Sequence, residues 1–141
     1  MREVEVFFDT NVVFYLLSAD ANKANRAEEL LAKGGIISVQ VLNEFVAVAR
    51  RKTTMSWGEI GGVLRRVRQL CAVMPLTVET HDRALALAQR YRKPVYDALI
   101  VAAALLARCR SIYSEDMQHG QVFARQLTVR NPFKREDEPR L

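Results

Sequence analysis

Val4-Glu5-Val6-Phe7-Phe8-Asp9-Thr10-Asn11 decides how the rest of the chain is read. A β-branched and aromatic run that stops at an aspartate predicts a strand running directly into a turn or helix cap. The first helix then follows through Asn11 to Leu17. Further along, Asp20 is placed to cap a second helix with Ala27, Leu30 and Leu31 on one face, and Gly34-Gly35 supplies its left-handed stop. Ile36-Ile37 reads as a short buried strand, and Ser38 caps a third helix through about Arg51. Ser56 with Glu59 three residues later forms a capping box for a fourth, in which Ile60, Val63, Leu64, Val67 and Leu70 make a core-facing stripe. Cys71 to Met74 is a strand closed by Pro75, and a helix from about Val78 reaches Arg92 before Pro94 interrupts it. Asp97 opens the next helix as its cap. Ser111 to Ser114 is another strand, followed by the acidic turn Glu115-Asp116 and by Gly120, and Leu127-Thr128-Val129 is the last strand. Strands alternating with helices predict an α/β fold: three α/β/α layers around a mostly parallel sheet of four to five short strands. One domain over residues 1–133 is expected, with a frayed polar tail over 134–141.

The chain has 141 residues, which is room for one domain, and 50% hydrophobic against 26% charged residues is ordinary for a globular protein. Its formal net charge of +5 favours polyanions over cationic surfaces as partners. Cys71 and Cys109 stand far apart with no zinc-like spacing around them, which disfavours a disulfide framework or a structural zinc. The charged start, Met1-Arg2-Glu3, is no signal peptide, and the uncharged run from Ala98 to Ala107 is too short to span a bilayer. The expectation is a cytoplasmic protein with no membrane partner.

Four carboxylates stand where the local sequence wants none. Asp9 ends the first strand after two phenylalanines, and Asp116 follows a later strand. Ligands of open parallel sheets bind at the carboxyl ends of strands, so these two acids can share an edge. Glu44 lies on a helix whose neighbours Val39, Val41, Leu42, Phe45, Val46, Ala47, Val48 and Ala49 make it apolar almost all round, and a buried carboxylate needs a partner. Asp97 precedes the uncharged helix of residues 98–107. Taken singly, Asp9 and Asp97 read as helix caps, Asp116 as a turn residue and Glu44 as a solvated strip. If the four converge, two charges about 4 Å apart repel by roughly 4 kcal/mol at an effective dielectric of 20. Convergence therefore requires shared protons or a divalent cation. Oxygen ligands without paired His or Cys select Mg²⁺ or Mn²⁺ over Zn²⁺, and such a site in a basic protein suits phosphoryl transfer.

Phe8-Asp9-Thr10-Asn11, Glu44 in a helix after a short strand, Tyr96-Asp97-Ala98 opening an apolar helix and Ser114-Glu115-Asp116 after a strand together resemble the four acidic motifs of PIN-domain ribonucleases. The resemblance covers essentially the whole chain, in order, and at this length is nearest to the VapC-type toxins of toxin–antitoxin pairs. It implies a metal-dependent endoribonuclease acting on RNA, with Asp9, Glu44, Asp97 and Asp116 as catalytic residues and as Mg²⁺ or Mn²⁺ ligands. It also implies in-line attack by an activated water, a homodimer and a small antitoxin partner. Thr10, Asn11 and Ser114 match positions that orient the acids, a supporting role. Gln118 departs from the pattern: many members carry a further acid there, which leaves one metal ion or two open. Glu115 rivals Asp116, but the Ser-x-Asp spacing favours Asp116.

Other residues read as structural. His81 sits in a highly charged helix and His119 in a polar turn. Arg65, Arg66 and Arg68, like Arg50, Arg51 and Lys52, read as solvated faces and helix-end charges, and which of them touch RNA is open. Trp57 and Tyr96 read as core or staple residues rather than base-stacking platforms. Two other functions compete. A haloacid-dehalogenase-type phosphatase needs an acid two residues after its strand-end Asp, where this chain has Asn11. A catalytically inactive PIN-like module would bind RNA or protein without cleaving.

Overall fold

The computed structural model describes residues 5–133, so the expected tail at 134–141 and the first residues of the opening strand lie outside the described residues. Its elements in chain order are β1 (Val6–Phe8), α1 (Thr10–Phe14, continued by a 3₁₀ turn at Tyr15–Leu17), α2 (Ala21–Ala32), β2 (Gly35–Ser38), α3 (Val39–Lys52), α4 (Trp57–Leu70), β3 (Cys71–Met74), α5 (Val78–Tyr91), α6 (Val95–Leu106), β4 (Ser111–Tyr113), β5 (Val122–Phe123) and β6 (Leu127–Arg130). They form the expected α/β architecture around one six-stranded sheet, ordered β3-β2-β1-β4-β6-β5. Every pairing is parallel except β5 with β6.

That strand order fixes where function can sit. From β1 the chain moves to one side, to β2 and β3, and later returns to the other side as β4. The carboxyl ends of β1 and β4 therefore flank the point where the winding reverses, the usual ligand crevice of an open α/β sheet. Phe8 pairs with Tyr113, and the Asp9 N–H donates to the Tyr113 carbonyl at 3.0 Å. The next residue on each strand, Asp9 and Ser114, is thereby brought side by side.

Burial follows the hydrophobic pattern. Phe7, Phe8, Val12, Val13, Ile37, Phe45 and Ile112 belong to one buried core with α6, whose residues from Ala98 to Leu105 are all buried. Burying each large side chain contributes roughly 1.5–3 kcal/mol. Helix α6 is capped at its far end by Gln126, whose amide donates to the carbonyls of Cys109 at 3.0 Å and Leu105 at 3.4 Å. Cys71 and Cys109 are free, buried thiols, pushed up to about 11 and about 12 by burial. Among the described residues no helix is long and apolar enough to cross a membrane.

Several local expectations need correction. The sheet has a sixth strand, β5, in a hairpin turned by Ala124 and Arg125 at φ of 51° and 57°. Of Gly34-Gly35 only Gly34 is left-handed, at φ 83°. Gly35 belongs to β2 and is required for another reason: a Cβ there would stand 2.5 Å from the Phe8 ring and 2.8 Å from the Val6 carbonyl oxygen. Helix α6 starts at Val95 with Pro94 in the cap position, so Asp97 is an acid of the first turn and not the cap. Helix α3 is not buried all round: Gln40, Val41, Phe45 and Ala49 are buried, but Asn43 and Ala47 face solvent. Trp57 and Tyr96 are no core residues either, being 65% and 63% exposed. Arg50 instead stacks over the Trp57 ring, 4.3 Å from its centroid.

Candidate active site

Asp9 is the most buried of the acids, 6% exposed. As the cap of α1 it turns one oxygen to the Thr10 N–H, which donates at 2.7 Å. Its other oxygen accepts from the Ser114 hydroxyl at 2.7 Å and from the Asn11 amide at 3.3 Å. Asp9 thus caps α1 and lines the cleft with the same carboxylate. Ser114 is fully buried at the end of β4, and its oxygen also accepts from the Met117 N–H at 3.2 Å. The Asn11 carbonyl oxygen accepts from the Glu115 N–H at 3.3 Å. Asn11 and Ser114 therefore tie the end of β1 to the turn that carries Asp116, while the Thr10 hydroxyl reaches Glu44.

Glu44 is half-buried on α3. It accepts from the Thr10 hydroxyl at 2.9 Å and from the Gln40 amide at 2.9 Å, so its partners are neutral groups. Asp97 is half-buried in the first turn of α6, where the helix dipole favours its charge. Asp116 is exposed. All four acids line one cleft of about 430 Å³, together with Thr10, Asn11, Phe14, Tyr15, Val48 and Lys52.

The electrostatics of the cleft register that crowding. Asp9 is pushed up to about 7, mostly by burial, with Asp97 and Asp116 adding to the rise; the bonds from Ser114 and Thr10 oppose it. Asp97 is also raised, by burial first and then by Glu44 and Asp116, against the nearby Lys93 charge. Among the described residues no three acidic, His or Cys groups already stand at the spacing that encloses one ion. The acids line the walls of the cleft rather than converging on a point.

Glu115, the rival of Asp116, turns elsewhere. It accepts from the Tyr15 hydroxyl and pairs with Lys23 at 3.3 Å. Lys23 also stands over the Tyr15 ring at 4.7 Å. His119 accepts the Asn131 N–H on Nδ1 at 2.9 Å and so holds backbone, while His81 is exposed on α5. Gln40, the partner of Glu44, is not among the residues the sequence singles out, and Lys52, read there as a helix-end charge, lines the cleft. Gln40 precedes Glu44 by one helical turn, a spacing that could have marked it as a partner.

An open, mostly parallel α/β sheet with an acid-lined cleft at its switch point defines a class. The chain belongs to the PIN domain family, whose pattern matches residues 6–122. Solved structures of similar fold include a toxin–antitoxin complex from Klebsiella pneumoniae, with a TM-score of 0.68 at 20% identity, over 92% of this chain and 99% of that one. Mycobacterium tuberculosis VapC20, described as a toxin that cleaves the sarcin–ricin loop, matches with a TM-score of 0.64 at 20% identity, over 79% and 90% of the two chains. FitAcB from Neisseria gonorrhoeae matches with a TM-score of 0.61 at 19% identity, over 90% and 97%. No curated protein has a sequence that matches the chain.

Proposed function

We propose that this chain is a metal-dependent endoribonuclease, the toxin of a toxin–antitoxin pair, which hydrolyses RNA phosphodiester bonds in the cytoplasm. One observation carries the reading: Asp9, Glu44, Asp97 and Asp116, from four separate elements, line a single cleft. Membership of the PIN domain family supports it, as does the likeness in fold to a toxin–antitoxin complex and to a toxin described as cleaving the sarcin–ricin loop. A small antitoxin partner and a homodimer belong to the same reading.

The donor set fits a hard divalent cation. Asp9 is a buried carboxylate whose hydrogen bonds come from neutral groups and whose charge is opposed by two further acids. Such a charge needs a proton or a cation. The four acids, drawn in from the cleft walls, would hold Mg²⁺ or Mn²⁺ directly or through water. When bound, the ion supplies water activation and charge neutralisation at the phosphate.

The chain's own groups then have separable tasks. Ser114, Asn11 and the Thr10 N–H hold the Asp9 carboxylate in one orientation, while Thr10 and Gln40 hold that of Glu44. Lys52, on the cleft wall, offers a cation to an RNA phosphate. In the reaction water adds to phosphorus and the bond from phosphorus to the leaving oxygen breaks. A dehalogenase-type phosphatase lacks its second acid here, because Asn11 is committed to Asp9, Ser114 and Glu115.

The test is cleavage of RNA by antitoxin-free protein with Mg²⁺ or Mn²⁺, with EDTA, and with Asp97→Asn. EDTA-sensitive cleavage that falls in the variant by more than the roughly 100-fold typical of outer-shell losses is expected. Folded protein that binds RNA yet never cleaves it would favour the inactive binding module.

A further inference from the structure

We propose that Tyr15, with Lys23 and Phe133, is a positioning residue for Asp116: it grips Glu115 and so fixes the turn from which Asp116 enters the cleft. The proposal rests on the nuclease reading above and adds to it what holds the least supported of the four acids. Asp116 is exposed, and among the described residues no hydrogen bond or ion pair engages its side chain. Asp97 has no such bond either, but it stands on the first turn of α6, whereas Asp116 stands on the irregular segment 114–121 between β4 and β5. A carboxylate without partners keeps its place only as well as the backbone beneath it does.

That segment is gripped at both ends. Near Asp116, the Glu115 N–H donates to the Asn11 carbonyl oxygen at 3.3 Å, while the Glu115 carboxylate accepts from the Tyr15 hydroxyl and from Lys23 at 3.3 and 3.4 Å. Tyr15 itself lines the acid cleft, so this grip comes from the cleft wall. At the far end His119 Nδ1 accepts the Asn131 N–H at 2.9 Å, and the Gly120 N–H donates to the Val129 carbonyl at 2.8 Å. The two ends are joined outside the segment. The Asn131 side-chain oxygen accepts the Phe133 N–H at 2.9 Å, and the Phe133 ring meets that of Tyr15 edge-on, with centroids 5.0 Å apart. Lys23 stands over both rings, at 4.7 and 5.5 Å, and Arg26, one turn along α2, donates to the Pro132 carbonyl at 3.0 Å. Contacts thus run in a closed ring from Glu115 through Tyr15, Phe133 and Asn131 to His119, and Asp116 lies on the stretch of chain they close. Lys23 alone would neutralise Glu115; the Tyr15 hydroxyl adds direction, because its ring is packed against Lys23 and Phe133. With the turn already ordered, ion binding has only the Asp116 side chain left to arrest.

Tyr15→Phe removes the grip and keeps the ring. In metal-free protein, hydrogen exchange at residues 115–118, followed by mass spectrometry, should run several-fold faster in the variant, with exchange of α6 unchanged. Mn²⁺ affinity by calorimetry should fall about tenfold, the loss typical of groups that orient ligands. Introduced into Asp116→Asn, the same substitution should change Mn²⁺ affinity by less than about twofold, because the residue it acts through is gone. Cleavage of RNA by Tyr15→Phe should fall at limiting Mn²⁺ and recover at saturating Mn²⁺, with KM for RNA unchanged. Phe133→Leu should move exchange and affinity in the same direction by less. Exchange at residues 115–118 or Mn²⁺ affinity that ignores Tyr15→Phe overturns the proposal. A loss that persists in full in the Asp116→Asn background also overturns it, assigning Tyr15 to direct contact with the ion. Mn²⁺-dependent cleavage indifferent to Tyr15→Phe removes the clasp and leaves the nuclease reading; a turn that loosens, with weakened Mn²⁺ binding, in a protein whose parent never cleaves RNA does the reverse.

Discussion

Replacing Asp9 by Asn should stabilise the metal-free protein at neutral and alkaline pH, by an amount the structure lets us work out. Burial raises the Asp9 carboxyl from 3.8 to about 7 in the folded chain. Between those two values the folded state holds a proton that the unfolded state has released. Stability contributed by the neutral carboxyl is therefore complete below about pH 4, declines as pH rises, and is gone above about 7. At about 1.36 kcal/mol per pH unit, the gap from 3.8 to about 7 corresponds to about 4 kcal/mol. Asn keeps the volume and the capping oxygen but carries no charge. Urea denaturation of parent and variant in EDTA, from pH 5 to 8.5, measures the difference. The parent should lose about 1.4 kcal/mol per pH unit relative to Asp9→Asn up to about pH 7 and then run level with it. Saturating Mn²⁺ should restore the parent and leave the variant unchanged. A parent-minus-variant difference that stays constant within about 0.5 kcal/mol across the whole range, well inside the shift expected from linkage, refutes the argument that Asp9 is a strained buried charge.

Two neighbours of that carboxylate give sharper outcomes. Ser114→Ala removes the 2.7 Å bond that lowers the Asp9 value, so the midpoint of the same pH transition should move upward and Mn²⁺ affinity measured by calorimetry should fall about 10- to 100-fold. Gly35→Ala drives a methyl into the Phe8 ring next to Asp9; thermal denaturation should show a loss of about 1–3 kcal/mol, and an unchanged melting temperature would mean that β1 and β2 can part at no cost.

Most of the fold is legible because each element carries its own local signal. Asp20, Ser38 and the Ser56/Glu59 box sit where the caps are, and the short apolar stretches of β1, β2 and β3 are bounded by Asp9, by Ser38 and by Pro75. The hairpin of β5 and β6 is not legible, since its turn is made by Ala124 and Arg125 in a conformation that a sequence normally announces with Gly or Asn. It is held from outside, by Tyr91 accepting the Ala124 N–H at 2.8 Å and by Gln126 on the end of α6. Tyr96 and Trp57 mislead for a related reason: aromatic residues at helix starts usually pack as staples, and only the tertiary arrangement shows these two left outside. The acids themselves stand out because of their apolar neighbours. Gln40 does not, since an amide in a helix is unremarkable until the carboxylate one turn away is seen to need it.

The four acids differ in how firmly they are held, and that difference bears on how four carboxylates can line one cleft. Asp9 and Glu44 are oriented by neutral donors. Asp97 is half-buried in the first turn of α6, and Asp116 is exposed, where water relieves its repulsion. Had all four been buried, each pair would repel at low dielectric and the empty fold would bear the whole cost. Had all four been exposed, rotation of every side chain would have to be arrested when an ion binds. Two acids held by neutral donors, Asp9 at the end of β1 and Glu44 on α3, and two without such bonds divide that cost. Glu115 completes the arrangement by staying out of it: Tyr15 and Lys23 neutralise its charge one residue from Asp116, so the turn carries an acid into the cleft without adding a fifth.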